Sequence, residues 1–154
     1  MGLQGINHVV LKVKNLRSAD YFYREILGMQ LVGKRGEMYF YHAGGHPHDL
    51  ALLEVGTNAK SPQRHQTGLF HLCFTVSDEQ SLIEIYNRCQ SGGVSILGTS
   101  DHTVMRSFYV VDPDGHVVEF GFDVPQEEWG VPEPFARDFA YSIPNLDAQT
   151  QVAG

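Results

Sequence analysis

Two histidines and one glutamate stand out in this sequence because their positions suit metal binding. His8 and His71 each lie within an apolar, β-branched segment, and Glu119 lies between Val118 and Phe120 in another. Successive residues of a β-strand point to opposite faces, and in each segment the apolar neighbours take one face and the polar residue takes the other. Two imidazoles and one carboxylate on one surface form a facial triad, which suits a divalent metal with open coordination positions, notably non-haem Fe(II).

Each of these residues also has a simpler interpretation. A single histidine in a strand is ordinarily half-exposed or hydrogen-bonded and binds no metal. Glu119 is harder to explain in this way, because a buried carboxylate without a partner is costly and needs a cation, hydrogen-bond donors or a raised pKa. The shared parity of all three residues, at matching places in a repeated pattern, favours the metal site. The same ligand set also accepts Mn(II) or Zn(II).

The segments that carry these residues belong to an internal repeat. The first half predicts a strand over 6–13, a helix over 15–28 and strands over 30–32, 37–41 and 49–55. The second half predicts a strand over 69–76, a helix that begins at Ser77 or Asp78 and ends at Gly92-Gly93, and strands over 94–97, 104–111 and 116–122. In the first helix, Ser18 is the candidate N-cap, and Gly28 suits the left-handed position after the last turn.

This repeat predicts an α+β fold made of two βαβββ modules. The modules cover residues 1–56 and 68–122 of a single domain over 1–122, with a polar linker over 57–67. Residues 123–154 form a proline-containing tail in which Trp129, Phe135 and Phe139 are apolar anchors.

Composition limits the classes of function. The chain has 154 residues, 42% of them hydrophobic and 19% charged, which is typical of a folded domain and not of a disordered chain. With 11 Lys+Arg against 18 Asp+Glu the net charge is −7, so we expect no nucleic-acid partner. No run of 18 apolar residues is present, so we expect a cytoplasmic protein without a membrane partner. Cys73 and Cys89 are expected to be reduced thiols in the core.

Three stretches carry a resemblance to a known family: INHVVLKVKNLRSADYFYREILGM, HLCFTV and SFYVVDPDGHVVEF. They resemble the vicinal oxygen chelate superfamily, which includes glyoxalases, bleomycin-resistance proteins and extradiol dioxygenases. The resemblance covers about residues 4–122 and excludes the tail. It implies paired βαβββ modules that form half-barrels around a metal. The ligand positions that it implies are His8, His71 and Glu119, the same three that strand parity selects.

Three further residues resemble those of the single-domain type I extradiol dioxygenases. His48 lies in HPHDLAL, and His102 and Tyr109 lie in SDHTVMRSFY. The resemblance implies that His48 is the acid/base, that Tyr109 hydrogen-bonds the bound substrate oxygen and that His102 hydrogen-bonds a substrate oxygen from the outer side. The turn before His102 is a residue or two longer than the family pattern. A shift of register would exchange His46 for His48.

The resulting prediction is an Fe(II)-dependent dioxygenase that opens a catechol-type ring beside its two hydroxyls and inserts both atoms of dioxygen. Mn(II) is the alternative metal, and we expect a homo-oligomer. Glyoxalase I-like members have a fourth ligand, a glutamate, where this chain has Ala51; Glu54 has the opposite parity. The alternatives are a metal-dependent glyoxalase, epimerase or thiol transferase of the same superfamily, or a non-enzymatic binder of the bleomycin-resistance kind.

Overall fold

The computed structural model describes residues 2–130 and Ile143. The described residues divide into two compact units, the first comprising residues 2–66 and 112–115 and the second 67–111 and 116–130 with Ile143. In chain order the elements are β1 (Val9–Val13), α1 (Leu16–Asp20), a π-helix (Tyr21–Ile26), β2 (Gln30–Arg35), β3 (Met38–His42), β4 (Leu50–Glu54), β5 (Leu72–Thr75), α2 (Glu79–Ser91), β6 (Ile96–Asp101), β7 (Met105–Val111), β8 (Val117–Asp123) and a 3-10 helix (Gln126–Glu128). This is the predicted α+β fold with two βαβββ repeats.

The first unit contains a four-stranded sheet in the order β1-β4-β3-β2. β1 and β4 are parallel, with Val9 opposite Leu50, and the other neighbours are antiparallel. A β-bulge between Leu31 and Gly33 shifts the register of β2 against β3. The buried apolar residues of the unit come from the sheet and from the helical segment that follows β1: Leu11, Val13, Leu16, Ala19, Phe22, Tyr23, Ile26, Leu50 and Leu52.

The first helix begins one turn earlier than its predicted cap. Asn15, not Ser18, is the N-cap, because its side-chain Oδ1 accepts the backbone N–H of Ser18 at 3.1 Å. Glu54 also contributes to this helix start, since its Oε2 accepts the N–H of Leu16 at 2.6 Å. Gly28 has φ +80°, which confirms its predicted left-handed conformation.

The second unit repeats this plan with a sheet in the order β5-β8-β7-β6. β5 and β8 are parallel, with Leu72 opposite Val118, and a β-bulge again separates two residues of the outer strand, Ile96 and Gly98. Asp78 is the N-cap of α2, because its Oδ1 accepts the N–H of Ser81 at 2.8 Å. The buried core residues of the unit include Leu82, Cys89, Phe108, Val110, Val118 and Phe120.

Two sequence expectations need correction in the second unit. A strand over 69–76 would place Phe70 on the same apolar face as Leu72 and Phe74, but the strand begins at Leu72 and the Phe70 side chain is 76% exposed. Cys73 is predicted to lie in the core and is exposed, whereas Cys89 is buried as predicted.

Beyond β8 the structure describes a short stretch of the predicted tail. The indole Nε1 of Trp129 donates to the carbonyl of Val124 at 2.8 Å, which anchors this residue beside the end of the strand. Phe135 and Phe139, the other two predicted anchors, lie outside the described residues. No helix within residues 2–130 is long and apolar enough to cross a membrane.

Candidate metal and catalytic site

Glu119 is a buried carboxylate in the middle of the second sheet. Its side chain is 2% exposed, and β8 places it between β5 on one side and β7 on the other. One carboxylate oxygen, Oε2, lies 3.1 Å from Nε2 of His71, and the other, Oε1, is buried without a hydrogen-bond partner. A buried anion needs compensation by a cation or by donors, and Oε1 has neither within the described part of the chain.

His71 lies directly before β5 and next to this carboxylate. Its side chain is 33% exposed, but its Nδ1 atom is buried and has no hydrogen-bond partner. The imidazole also packs against the ring of Tyr109 with a centroid distance of 5.7 Å and an angle of 66°. His71 and Glu119 therefore present nitrogen and oxygen atoms to one place on the sheet, as the parity of their strands predicts.

Tyr109 completes this group from β7. It is paired directly with Glu119 in the antiparallel register of β7 and β8, so the two side chains share a face. Burial first, and then the nearby Glu119 carboxylate, raise the pKa of Tyr109 to about 12. The phenol is therefore protonated at neutral pH and can donate a hydrogen bond to an anionic oxygen.

Cys73 is a fourth member of this face, and sequence reasoning gave it no role. The parallel register of β5 and β8 places it directly opposite Glu119, on the other side from Tyr109. Partial desolvation and then the Glu119 carboxylate raise the pKa of the thiol to about 12, so it is neutral. The signal was available in the sequence, because Cys73 shares its parity with His71.

In the first unit the structure brings His8 and His48 together. His8 is exposed, lies directly before β1, and its Nδ1 is 2.8 Å from Oδ1 of Asn7. The ring of His48 lies 4.5 Å from the ring of His8 and makes an edge contact with Phe40 at 5.4 Å. His46 is exposed, so the geometry favours His48 as the residue that accompanies His8.

His102 lies in the turn that joins β6 to β7. Its Nε2 is 3.1 Å from Oγ of Ser100, and its backbone N–H donates to the carbonyl of Met105 at 3.0 Å. The following residue, Thr103, has φ +73°, and its N–H donates to Oδ1 of Asp101 at 2.7 Å. The structure therefore places His102 in a tightly hydrogen-bonded turn.

The predicted residues thus form two groups, His8 with His48 in the first unit and His71 with Glu119 and Tyr109 in the second. Within residues 2–130 and 143, no three His, Cys, Asp or Glu side chains are arranged to hold a metal ion. The chemistry of this pair nevertheless fits a cation: Oε1 of Glu119 is a buried carboxylate oxygen without a partner, and the contact of Oε2 with Nε2 of His71 places an imidazole nitrogen beside the carboxylate. The three-ligand site stays a prediction.

Comparison with known proteins identifies relatives with two kinds of chemistry. The chain is 30% identical over 124 residues to the catechol-2,3-dioxygenase of Bacillus subtilis, an alignment that covers 80% of this chain and 43% of that protein. It is 31% identical over 119 residues to the metallothiol transferase FosB of Staphylococcus haemolyticus, with coverage of 76% and 82%. This chain therefore spans less than half of the dioxygenase and most of the transferase.

Solved structures confirm the fold. A glyoxalase/dioxygenase from Nostoc punctiforme superposes with a TM-score of 0.66 at 20% identity, over 79% of this chain and 92% of that one. A glyoxylase/bleomycin resistance protein/dioxygenase domain from Frankia sp. EAN1pec gives a TM-score of 0.67 at 23% identity, over 80% and 100%. Residues 5–120 match the family model for these proteins. The chain belongs to the glyoxalase/bleomycin resistance protein/dioxygenase superfamily.

Proposed function

We propose that this protein is an Fe(II)-dependent extradiol dioxygenase acting on a catechol-type aromatic compound. The observation that supports this most is Glu119, a carboxylate that is 2% exposed, touches His71 and keeps one oxygen without a partner. A buried carboxylate with one unpartnered oxygen is costly, and an apolar residue at this position would cost less stability. A metal ion would supply the missing compensation.

The proposed ligands are the three residues that strand parity selects, His8, His71 and Glu119. His71 and Glu119 are supported by their contact, and His8 by its equivalent place, since each histidine directly precedes the first strand of its repeat. Two histidines and a carboxylate suit Fe(II) and leave coordination positions open, and they also accept Mn(II). When bound, the metal supplies orientation and charge stabilisation for the catechol and dioxygen.

Tyr109 has the role of holding the substrate in its anionic form. A catechol must lose at least one proton to bind through both oxygens, and a protonated phenol stabilises the resulting anion by donating to it. Tyr109 remains a donor because its pKa is raised to about 12 by burial and by Glu119. A charge-assisted hydrogen bond of this kind contributes about 1.5–3 kcal/mol.

His48 has the role of acid and base. An imidazole exchanges protons near neutral pH, so it can donate to an oxygen as negative charge develops and take the proton back later. Its ring lies against His8, beside the proposed ligand of the first unit. His102 is assigned a weaker role, a hydrogen bond to a substrate oxygen from the outer side.

A metallothiol transferase is the second candidate. Its support is the length of the match, because the alignment covers 82% of the FosB relative and 43% of the catechol dioxygenase. This reaction would use the same metal ligands, and it gives no reason for an acid/base at His48. The effect of removing His48 therefore distinguishes the two candidates.

The test is oxygen uptake with a panel of catechols after anaerobic loading with Fe(II). We expect oxygen consumption together with a yellow ring-fission product, and we expect His48→Ala to lower the rate by about 10²-fold or more. A protein that binds Fe(II) but consumes no oxygen with any catechol would contradict the proposal. Mn(II)-dependent addition of a thiol to an added electrophilic co-substrate, measured anaerobically as formation of the thioether adduct, would support the transferase instead.

A further inference from the structure

The loop between β3 and β4 is built around one side chain, the carboxylate of Asp49. Oδ2 accepts the backbone N–H of Ala43 at 2.7 Å and of Gly44 at 3.3 Å, and Oδ1 accepts the N–H of His46 at 2.9 Å. Three donors from one short loop thus converge on a single carboxylate. Such a concave set of N–H groups stabilises a negative charge and fixes the path of the chain around it.

Two neighbours show how closely the loop is fitted to this carboxylate. A Cβ atom at Gly45 would lie 2.9 Å from Oδ1 of Asp49, closer than real contacts allow. Nδ1 of His42 lies 2.6 Å from the carbonyl oxygen of His46 and 3.3 Å from Oδ2 of Asp49. Because a carbonyl oxygen can accept and cannot donate, Nδ1 of His42 carries the hydrogen and ties the two ends of the loop together.

The backbone of Asp49 is fixed as firmly as its side chain. Its N–H donates to the carbonyl of Tyr41 in β3 at 2.8 Å, and its carbonyl accepts the N–H of Val9 in β1 at 3.0 Å. His48 is the residue directly before it, with its ring against His8 and Phe40. The fixed loop on one side and the fixed strand on the other therefore restrict the place of the His48 ring.

We infer that Asp49 is a positioning residue, whose carboxylate holds the 43–48 loop in the shape that places His48 beside His8. The inference rests on the proposed function for the catalytic role of His48, and the loop geometry itself does not depend on it. The carboxylate acts through the loop backbone and touches no reacting group. Although partial burial opposes ionisation, the N–H donors of the loop outweigh it and lower the pKa of Asp49, so the carboxylate is charged at neutral pH.

The experiment compares Asp49→Ala, Asp49→Asn and Gly45→Ala in the full chain, with Glu37→Gln as a control for the loss of one exposed carboxylate. Two measurements are made on each variant. The first is kcat and KM in the oxygen-uptake assay with the Fe(II)-loaded protein. The second is the NMR spectrum of the loop amides and of the His48 imidazole, recorded without added metal, which needs no activity.

We expect Asp49→Ala to shift the amides of Ala43, Gly44 and His46 and the ring signals of His48. Its kcat should fall about 10–100-fold because the acid/base is misplaced, while KM for the catechol stays within about threefold because ligands and Tyr109 are intact. Asp49→Asn should have a smaller effect than Asp49→Ala, because the amide oxygen of asparagine still accepts one loop N–H. The effect should not vanish, because the amide NH2 group cannot accept from the other loop N–H groups. Gly45→Ala should act in the same direction by displacing the carboxylate.

Unchanged loop and His48 signals in Asp49→Ala would overturn the inference, and so would perturbed signals with an unchanged kcat in an active enzyme. If Asp49→Ala does not fold, the NMR signals and kcat of Asp49→Asn and Gly45→Ala test the inference in the same way. If the unmodified protein consumes no oxygen, the proposed function fails, and the NMR measurement alone decides whether Asp49 positions His48.

Discussion

The sheet of the first unit places Ala51 of β4 directly opposite Phe40 of β3, and the sheet of the second places Glu119 of β8 directly opposite Tyr109 of β7. These positions are equivalent in the two repeats. Ala51 follows Leu50, which pairs with the first residue of β1, and Glu119 follows Val118, which pairs with the first residue of β5. The first unit thus has a methyl group and a phenyl ring where the second has a carboxylate and a phenol.

The frameworks around these positions match closely. Both sheets have the same strand order and the same parallel pairing of their first and last strands. Both have a β-bulge in the outer strand, at Leu31/Gly33 and at Ile96/Gly98. The backbone was therefore duplicated with its irregularities, and the chemical difference lies in a few side chains. Two repeats with the same backbone can thus carry different functional groups, here the Glu119 carboxylate in one repeat and the loop that bears His48 in the other.

The largest effect that would test this contrast is expected from Glu119→Gln. The variant keeps the shape of the side chain and removes its charge, so the protein should bind the metal poorly. Because the metal's stabilisation of the transition state contributes several kcal/mol, kcat/KM for the catechol should fall by about a thousandfold or more. Oxygen uptake measures this. Asp123→Asn, an exposed carboxylate on the same strand, is the control and should retain activity; equal losses in both variants would contradict a special role for Glu119.

The reverse substitution, Ala51→Glu, should destabilise the first unit. Ala51 is 1% exposed, so the new carboxylate would be buried, whereas His8, the equivalent of His71, is exposed and contacts Asn7 and His48. We expect a loss of about 3 kcal/mol in the free energy of unfolding, measured by urea denaturation. Ala51→Leu adds similar volume without charge and should cost less. If the two variants lose the same amount, the difference between the units is one of space and not of charge.

An intermediate effect is expected when Tyr109 is converted to the residue of the first unit. Tyr109→Phe removes one hydrogen-bond donor to the substrate anion, so kcat/KM should fall about 10–100-fold, which corresponds to about 1.5–3 kcal/mol. The fold should be unaffected, since Phe40 occupies the same place in the other sheet. Tyr21→Phe, which removes the hydroxyl of a tyrosine that is 59% exposed, is the control and should leave the rate unchanged. A Tyr109→Phe enzyme with full activity would remove this residue from the mechanism.

The smallest effect is the pH dependence of the loop around Asp49. The second unit has an apolar residue, Val117, at the position equivalent to Asp49. The loop N–H groups lower the pKa of Asp49 below its ordinary value of 3.8 despite partial burial. A depressed carboxyl pKa contributes stability above the unfolded value, and this contribution is lost as the pH falls through the folded value. The amides of the loop should therefore keep their native NMR shifts down to about pH 4 and change below it. A midpoint at or above the ordinary value would contradict the hydrogen-bonded arrangement.

Much of this architecture could be predicted from the sequence, because strand parity and the internal repeat are local signals. Parity placed His71 and Glu119 on one face, the family resemblance added Tyr109, and the structure brings these three together. Parity also places Cys73 on this face. Sequence reasoning gave it no site role, because a cysteine in an apolar segment ordinarily packs in the core.

The remaining features depend on contacts that no local pattern contains. Asn15 and Ser18 are both good N-caps, and the choice between them depends on where β1 ends and on the contact of Glu54 with the helix start. The role of Asp49 depends on the conformation of the glycine-containing loop that surrounds it. The exposure of Phe70 depends on the first strand of the second repeat beginning at Leu72.

Anaerobic equilibrium dialysis against Fe(II), with metal analysis of the protein, tests the central proposal most directly. We expect equimolar Fe(II) in the unmodified protein and in Asp123→Asn, and almost none in Glu119→Gln or His71→Ala at the same free Fe(II) concentration. If Glu119→Gln and His71→Ala retain as much Fe(II) as the unmodified protein, the buried carboxylate of the second unit is not a metal ligand, and the proposed metal site is wrong.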